Sequence, residues 1–254
     1  MLVALTRSVS PNLGNCELEY FSRQPIDIAL AARQHRHYEQ CLESRGAQVI
    51  CLPAEPDLPD SVFVEDPALV LDEIAVITRM GVESRRAEAA TLAAALAPFR
   101  PLRRIEAPGT LEGGDVIRTG RTLLVGLSHR SNAHGIAQLS ALAAPFGYAV
   151  KAVPVRGCLH LKSAACQLGD DAILINRAWV DPSLFAGLRL IDVDDAEPWA
   201  ANVLPIGGSL LCSAAFPATR DLLGRAGYRT EPLDISELAK AEGALTCSSL
   251  IFER

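Results

Sequence analysis

Aromatic side chains are scarce in this chain. They make up 5 % of 254 residues, so Ala, Val, Leu and Ile must fill the interior. No run of 18 or more apolar residues occurs, and a helical membrane span is not expected. The opening "MLVALTRSVSP" is interrupted too early for a signal peptide. There is no C-x-x-C pair, and the seven cysteines lie scattered at 16, 41, 51, 158, 166, 212 and 247. That odd, dispersed set fits a reducing cytoplasm better than a disulfide framework. A basic surplus is missing too. A net charge of −6 disfavours nucleic acid and anionic membrane surfaces as partners, and mildly favours a cationic small molecule.

What remains is the make-up of an ordinary folded protein, with 49 % apolar and 21 % charged residues. The length allows one large domain or two ordinary ones and a core that needs no staples. A strand, a short Gly/Asp turn and a second strand recur along the chain. The blocks are "FVEDPALVLDEIAVITR", turning at Asp72-Glu73, and "LEGGDVIRTGRTLLVGLSHR", turning at Thr119-Gly120. Two more are "LHLKSAACQLGDDAILINR", turning at Gly169-Asp170, and "NVLPIGGSLLCSAAF", turning at Gly207-Gly208. Helical patterns are expected over Pro25–Arg45, Val82–Ala97, Ser131–Phe146, Pro182–Ala186 and Pro217–Arg225, each followed by a further short strand.

The unit is therefore ββαβ, and the expected architecture is an α/β propeller of five such repeats. The first repeat lacks one strand, and "ALTCSSLIF" at the far end of the chain can supply it by pairing the two termini. A plain α/β sandwich with a coincidental rhythm is the alternative. If the repeats are real, their first strands begin at Glu65-Asp66, Glu112, His160, Asn202 and Cys247. Acids, a histidine and a cysteine from different repeats then meet at one end of a common axis. A cysteine needs a neighbouring base or cation to act as a nucleophile, and a histidine held by a carboxylate can move protons. Carboxylates beside such a thiol suit a substrate that brings its own positive charge, and a guanidinium does. His129 and His134 flank Arg130, but no third ligand accompanies them and no metal is expected. The glycine pairs at 113–114 and 207–208 lack the spacing of a nucleotide fingerprint and are read as turns or close-packing positions. Cys41, Cys51, Cys158, Cys166 and Cys212 are read as core residues.

The stretches "RQPIDIALAARQHRHYEQCL", "LPDSVFVEDPALV", "ITRMGVESRRAE", "LEGGDV", "GLSHRSNAHG", "LHLKSAA" and "LTCSS" span the whole chain. Together they resemble the dimethylarginine dimethylaminohydrolases of the guanidino-modifying superfamily, whose fold is the five-bladed pentein. The resemblance implies a single catalytic domain over residues 1–254. It implies Cys247 as nucleophile, His160 as general acid/base and Glu112 as its supporting carboxylate. Asp66, with Glu65 beside it, matches the guanidinium-binding acid. Asp60, Leu18 and Ala241 match substrate-pocket positions, with Phe63 packing nearby. Arg85 and Arg130 match the pair that recognises the amino-acid head. The implied reaction hydrolyses Nω-methylated L-arginine to L-citrulline and an alkylamine through a Cys247 thiouronium. It involves no metal or organic cofactor, in a cytoplasmic monomer or homodimer. A deiminase of free arginine or another guanidine needs the same residues and stays open, as does a non-catalytic guanidine-binding module.

Overall fold

The computed structural model describes residues 1–169 and 171–254. The chain begins with β1 (Leu2–Arg7), α1 (Ile28–Glu43) and β2 (Gln48–Leu52). The second unit is β3 (Ala68–Val70), β4 (Ala75–Ile77), α2 (Glu88–Leu96) and β5 (Leu102–Arg104). The third is β6 (Val116–Thr119), β7 (Thr122–Leu127), α3 (Ala133–Ala143) and β8 (Ala149–Pro154). In the fourth, the short α4 (Leu161–Ala164) leads into β9 (Ala165–Gln167), β10 (Ala172–Ile175) and β11 (Arg189–Asp192). The fifth is β12 (Val203–Ile206), β13 (Ser209–Ser213), α5 (Pro217–Arg225) and β14 (Thr230–Leu233). A short α6 (Ser236–Ala239) and β15 (Leu250–Glu253) complete the chain.

These strands form five three-stranded sheets with one pattern. The middle strands β4, β7, β10 and β13 each run antiparallel to the strand before them and parallel to the strand after them. A parallel neighbour requires a crossover, which is why helical sequence follows every hairpin. β1 obeys the same rule with partners from both ends of the chain. It is parallel to β2 and antiparallel to β15, with Val3 opposite Phe252 and Leu5 opposite Leu250. The strand missing from the first repeat thus comes from the C-terminus.

Local chemistry explains the elements. The Asp27 side chain caps α1 by accepting from the Leu30 N–H at 2.9 Å. Ala31, His35, Tyr38 and Leu42 of α1 are buried at helical spacing on one face. Asn132 caps α3 by accepting from the Gly135 N–H at 2.9 Å, so α3 starts after residue 132 and not at Ser131. Gly207 and Gly208, at φ +57° and +74°, make the primed turn that suits a two-residue hairpin. The continuous helix expected over Val82–Ala97 is instead a 3-10 turn, Glu83–Arg85, followed by α2. The break falls where Arg85 turns into the interior. The stretch after Pro182 is also a 3-10 turn, Pro182–Phe185. The turn expected at Gly169-Asp170 includes Asp170, which lies outside the described residues. Cys51 is exposed, contrary to its reading as a core residue, because it points outward from β2 at the sheet edge.

The first strand of every sheet faces one shared space. Ala68 to Val70, Val116 to Arg118, Cys166 and Gln167, Val203 to Pro205, and Leu250 and Ile251 line a cavity of about 460 Å³. The sheets are therefore arranged about a common axis. No helix among the described residues is long and apolar enough to cross a membrane.

Ending the chain after Ser249 tests the pairing of the termini. It removes Leu250 and Phe252, each 7 % exposed. Burial of two such side chains contributes about 3–6 kcal/mol, a large share of the roughly 5–15 kcal/mol that holds a domain together. The expected result is a thermal midpoint lower by on the order of 10 °C and loss of function. A truncated chain with a normal melting curve would rule out a structural role for this strand.

Candidate active site

Each unit presents its polar residues in the turn that leads into its inner strand, not within that strand as the repeat spacing suggested. Glu65 and Asp66 precede β3, Glu112 precedes β6, and His160 is the N-cap of α4 just before β9. Asn202 precedes β12, and Cys247 lies in the 3-10 turn Thr246–Ser248 before β15. Hydrogen bonds link these turns in succession. The Glu65 N–H donates to the Cys247 carbonyl at 3.2 Å, and the Gly113 N–H to the Asp66 carbonyl at 3.0 Å. Lys162 Nζ donates to the Gly113 carbonyl at 3.2 Å, and Asn202 Nδ2 to the Lys162 carbonyl at 3.3 Å. Asn202 Nδ2 also donates to Thr246 Oγ1 at 3.0 Å, and its Oδ1 accepts from the Thr246 N–H at 3.1 Å.

The centre is a buried histidine–carboxylate pair. His160 Nε2 and Glu112 Oε2 are 2.7 Å apart, with His160 4 % exposed and Glu112 fully buried. The other Glu112 oxygen accepts from the Gly81 N–H at 2.9 Å. His160 Nδ1 stands 3.9 Å from Asp66 Oδ1, too far for a direct hydrogen bond, and is the ring nitrogen left for proton transfer. Burial alone would lower the His160 pKa. The Asp66 charge, the bond to Glu112 and the Asp115 charge overcome this and raise it to about 9. The same pairing holds Glu112 below the usual carboxylate range although burial pushes it upward.

Asp66 anchors a second chain of charge. Its Oδ2 accepts from Arg85 Nη1 at 2.9 Å and its Oδ1 from the Gly114 N–H at 3.2 Å. Arg85 is gripped from its other side by Glu88, with Nε and Nη2 each 2.9 Å from a carboxylate oxygen. Burial opposes ionisation of Asp66, but His160 and Arg85 together keep its pKa low. Burial raises Glu88 to about 7 against the pull of Arg85. Burial also raises Asp60, whose Oδ2 accepts from the Glu17 N–H at 3.1 Å.

Asp60, Phe63, Asp66, Arg85, Arg130, His160, Ala241 and Cys247 line one cavity with Glu17, Leu159, Glu242 and Gly243. Leu18 belongs to the adjoining apolar cluster that holds Phe63, Ala241 and Cys247. Glu65 does not line this cavity. Its oxygens take bonds from Lys162 Nζ at 2.5 Å and Thr246 Oγ1 at 2.7 Å, and it faces the axial space instead. Arg130 is 5 % exposed and its Nη1 has no hydrogen-bond partner, 3.7 Å from Glu112 Oε1. Cys247 is half-buried. Burial, then the Glu65 and Asp66 charges, push its thiol pKa well above the ordinary value, while Lys162 pulls only weakly against them.

Several supporting residues have no counterpart among the sequence-derived candidates. Asp115 is fully buried; its oxygens accept from Ser128 Oγ, Ser131 Oγ and the Leu161 N–H at 2.6, 2.7 and 2.8 Å, fixing the turn that carries His160. Glu88 sits three residues after Arg85, a spacing that can be read in a sequence once a helical turn is assumed. Gly114 must be glycine, because a Cβ there would lie 2.6 Å from His160 Nδ1 and 2.9 Å from Asp66 Oδ1. The close-packing reading of that glycine pair is correct. Asp66, Glu112 and His160 place one potential ligand atom each within 4.8 Å of the others, and no further such group occurs among the described residues. Those atoms already serve hydrogen bonds and ion pairs, which a cation would have to displace. His129 pairs with Glu19 at 2.6 Å instead of taking part in a histidine cluster.

Five ββαβ units about an axis, with a cysteine, a histidine and acids gathered at one end, define a guanidino-modifying enzyme of the pentein class. Residues 54–153 match the family model described as arginine deiminase. A dimethylarginine dimethylaminohydrolase of Streptomyces coelicolor is 40 % identical over 250 residues, covering 97 % of this chain and 95 % of that protein. The solved enzyme of Pseudomonas aeruginosa in complex with citrulline superposes with a TM-score of 0.93 at 33 % identity, covering 98 % of each chain. The N-terminal domain of ArgZ, an arginine dihydrolase, shares the fold at TM-score 0.89 and 19 % identity, covering 98 % of this chain and 97 % of its own. The chain belongs to the dimethylarginine dimethylaminohydrolase family.

Two outcomes follow from the geometry. The His160 pKa is about 9 in the fold against 6.5 for a free imidazole. Its contribution to stability is therefore complete below pH ~6.5 and is lost as the pH rises through ~9. NMR titration of the ring should show this midpoint, and Glu112→Gln should move it down; a midpoint near that of a free imidazole would contradict the arrangement. Gly114→Ala should displace His160 and cost activity with little change in substrate-free secondary structure, checked by steady-state kinetics beside circular dichroism.

Proposed function

We propose that this protein hydrolyses Nω-methylated L-arginines to L-citrulline and methylamine or dimethylamine, in the cytoplasm. The observation that carries the proposal is the buried His160–Glu112 pair in one cavity with Cys247, Asp60 and Asp66. Asp66 and Asp60 receive the guanidinium. Arg130, with an unpartnered N–H, and Arg85 meet the α-carboxylate of the amino-acid head. Leu18, Phe63 and Ala241 supply apolar wall, and Glu65 holds the Cys247 turn in place through Thr246.

The bound guanidinium lowers the thiol pKa by placing positive charge beside a sulfur otherwise surrounded by acids. The thiol proton leaves to solvent, and the Cys247 Sγ attacks the guanidinium carbon. His160 at neutral pH is an imidazolium and donates its Nδ1 proton to the departing amine as the C–N bond breaks. A thiouronium remains on Cys247. Neutral His160 then removes a proton from water, whose oxygen bonds to the same carbon. The C–S bond breaks with its electron pair going to sulfur, the sulfur takes up the hydroxyl proton, and neutral citrulline leaves. The histidine pKa of about 9 suits the acid step, which comes first.

The match of residues 54–153 to the arginine deiminase model makes arginine the competing substrate. Incubation with asymmetric dimethylarginine and with arginine, followed by separate assay of dimethylamine, ammonia and citrulline, decides between them. Dimethylamine with citrulline is expected, and ammonia from arginine alone would overturn the assignment. Cys247→Ser should lower kcat on the order of 10³-fold or more, with an unchanged fold. Binding of dimethylarginine with release of neither dimethylamine nor ammonia would point to a binding module instead.

A further inference from the structure

Residues 16–27 form a segment without helix or strand between the 3-10 turn Leu13–Asn15 and α1. Hydrogen bonds donated by its N–H groups from Glu17 to Asp27 end on carboxylates. Glu17 donates to Asp60 at 3.1 Å and Asp27 to Glu237 at 2.8 Å. Between them, the N–H groups of Glu19, Tyr20 and Phe21 converge on a single oxygen, Glu242 Oε1, at 3.0, 2.6 and 2.7 Å. Three successive amides around one anionic oxygen make a nest, and charge-assisted bonds of this kind are the strong ones.

Glu242 is also the one described non-glycine residue in the left-handed region, at φ +58°. Strain of this kind persists where the surroundings over-determine it. Here both neighbours are fixed. Ala241 lines the catalytic cavity, and a Cβ on Gly243 would lie 2.2 Å from the Phe63 ring. The backbone that shapes the cavity thus holds the Glu242 carboxylate against the 16–27 segment.

That segment covers the site. The catalytic cavity holds about 20 Å³, space for roughly one water, where small-molecule pockets have hundreds of Å³. Glu19 occupies Arg130, with Oε2 3.2 Å from its Nε, and Phe21 packs edge-on to Trp199 at 4.8 Å. A substrate of amino-acid size does not fit this space as it stands, and Glu17 and Glu19 of the segment lie against it, one in its lining and the other on Arg130.

We propose that Glu242 is a positioning residue that latches residues 17–27 over the catalytic cavity. Substrate enters and product leaves when its bonds to Glu19, Tyr20 and Phe21 break. Opening also withdraws Glu19 from Arg130 and frees that guanidinium for an incoming carboxylate. The kinetic consequence rests on the proposed methylarginine reaction; the latch itself does not.

The test uses the full chain with Glu242→Gly and Glu242→Gln. Glycine removes the carboxylate and accepts φ +58° without strain, so the fold is not at risk. Glutamine keeps an acceptor oxygen without the charge. Carbamidomethylation of Cys247 by iodoacetamide, followed by peptide mass spectrometry, reads access to the cavity with no substrate present. Labelling at least tenfold faster in Glu242→Gly is expected, with Glu242→Gln in between and a thermal midpoint equal to or above wild type. With asymmetric dimethylarginine, KM should fall in Glu242→Gly while kcat holds or increases, because the closed state no longer competes with binding. A wild-type labelling rate, or one that rises only in step with a lowered midpoint, overturns the latch. Wild-type protein inactive on dimethylarginine but showing the labelling difference would overturn the reaction and leave the latch standing.

Discussion

Charge buried away from water must be paired, and the interior of this protein is organised around that demand. Arg85, Arg130, His160 and Lys162 are the cationic groups around the site; Asp60, Glu65, Asp66, Glu88, Glu112 and Asp115 are its buried carboxyls. Each cation touches at least one of these acids or Glu19. The acids outnumber the cations, and burial pushes Asp60, Glu65, Glu88 and Asp115 upward further than the nearby cations and donors pull them down. A cavity with this excess attracts one more cation and repels an anion. A guanidinium completes the pairing that the protein leaves unfinished, whereas a neutral urea such as citrulline does not. The same electrostatics that draw the proposed substrate in therefore weaken the hold on the product.

The fold makes this concentration of charge possible by dividing it. Each unit contributes one or two charged residues from the turn before its inner strand, and neighbouring units hold that turn in place. Asp66 of the second unit is bonded by Gly114 of the third, and Asp115 of the third holds the Leu161 N–H of the fourth. Asn202 of the fifth holds Thr246 beside Cys247. Removing a partner leaves a charge stranded in a different unit, so the site and the arrangement of units stand or fall together.

The repeat is legible because its turns carry the residues that turns require and because hairpin, helix and strand follow in the same order. Cys247, His160 and Glu112 could be brought together from spacing alone, since each stands at the same point of its repeat. What spacing could not show is orientation. Glu65 and Asp66 are adjacent, so consecutive side chains point apart, one toward the axial space and the other toward the cavity. Glu242 was invisible for a different reason. Its partners lie more than 220 positions away in a segment without periodicity, where no pattern announces a contact. The break between residues 82 and 97 was hidden because "ESRRAEAA" has good helical propensity, and the inward turn of Arg85 overrides it.

Cys247 gains most from being read in this setting. A reactive cysteine is commonly activated by a fixed neighbouring cation. Here the nearby cations are committed: His160 to Glu112, Arg85 to Asp66 and Glu88, Lys162 to Glu65. Burial first, and then the Glu65 and Asp66 charges, raise the thiol pKa, and the resting thiol stays protonated. In the proposed reaction the missing positive charge is the substrate's own guanidinium. Activation then waits for the molecule to be transformed, and a neutral electrophile reaching the cavity meets a thiol, not a thiolate. Selectivity in this design comes from supplying the nucleophile only when the right charge is present.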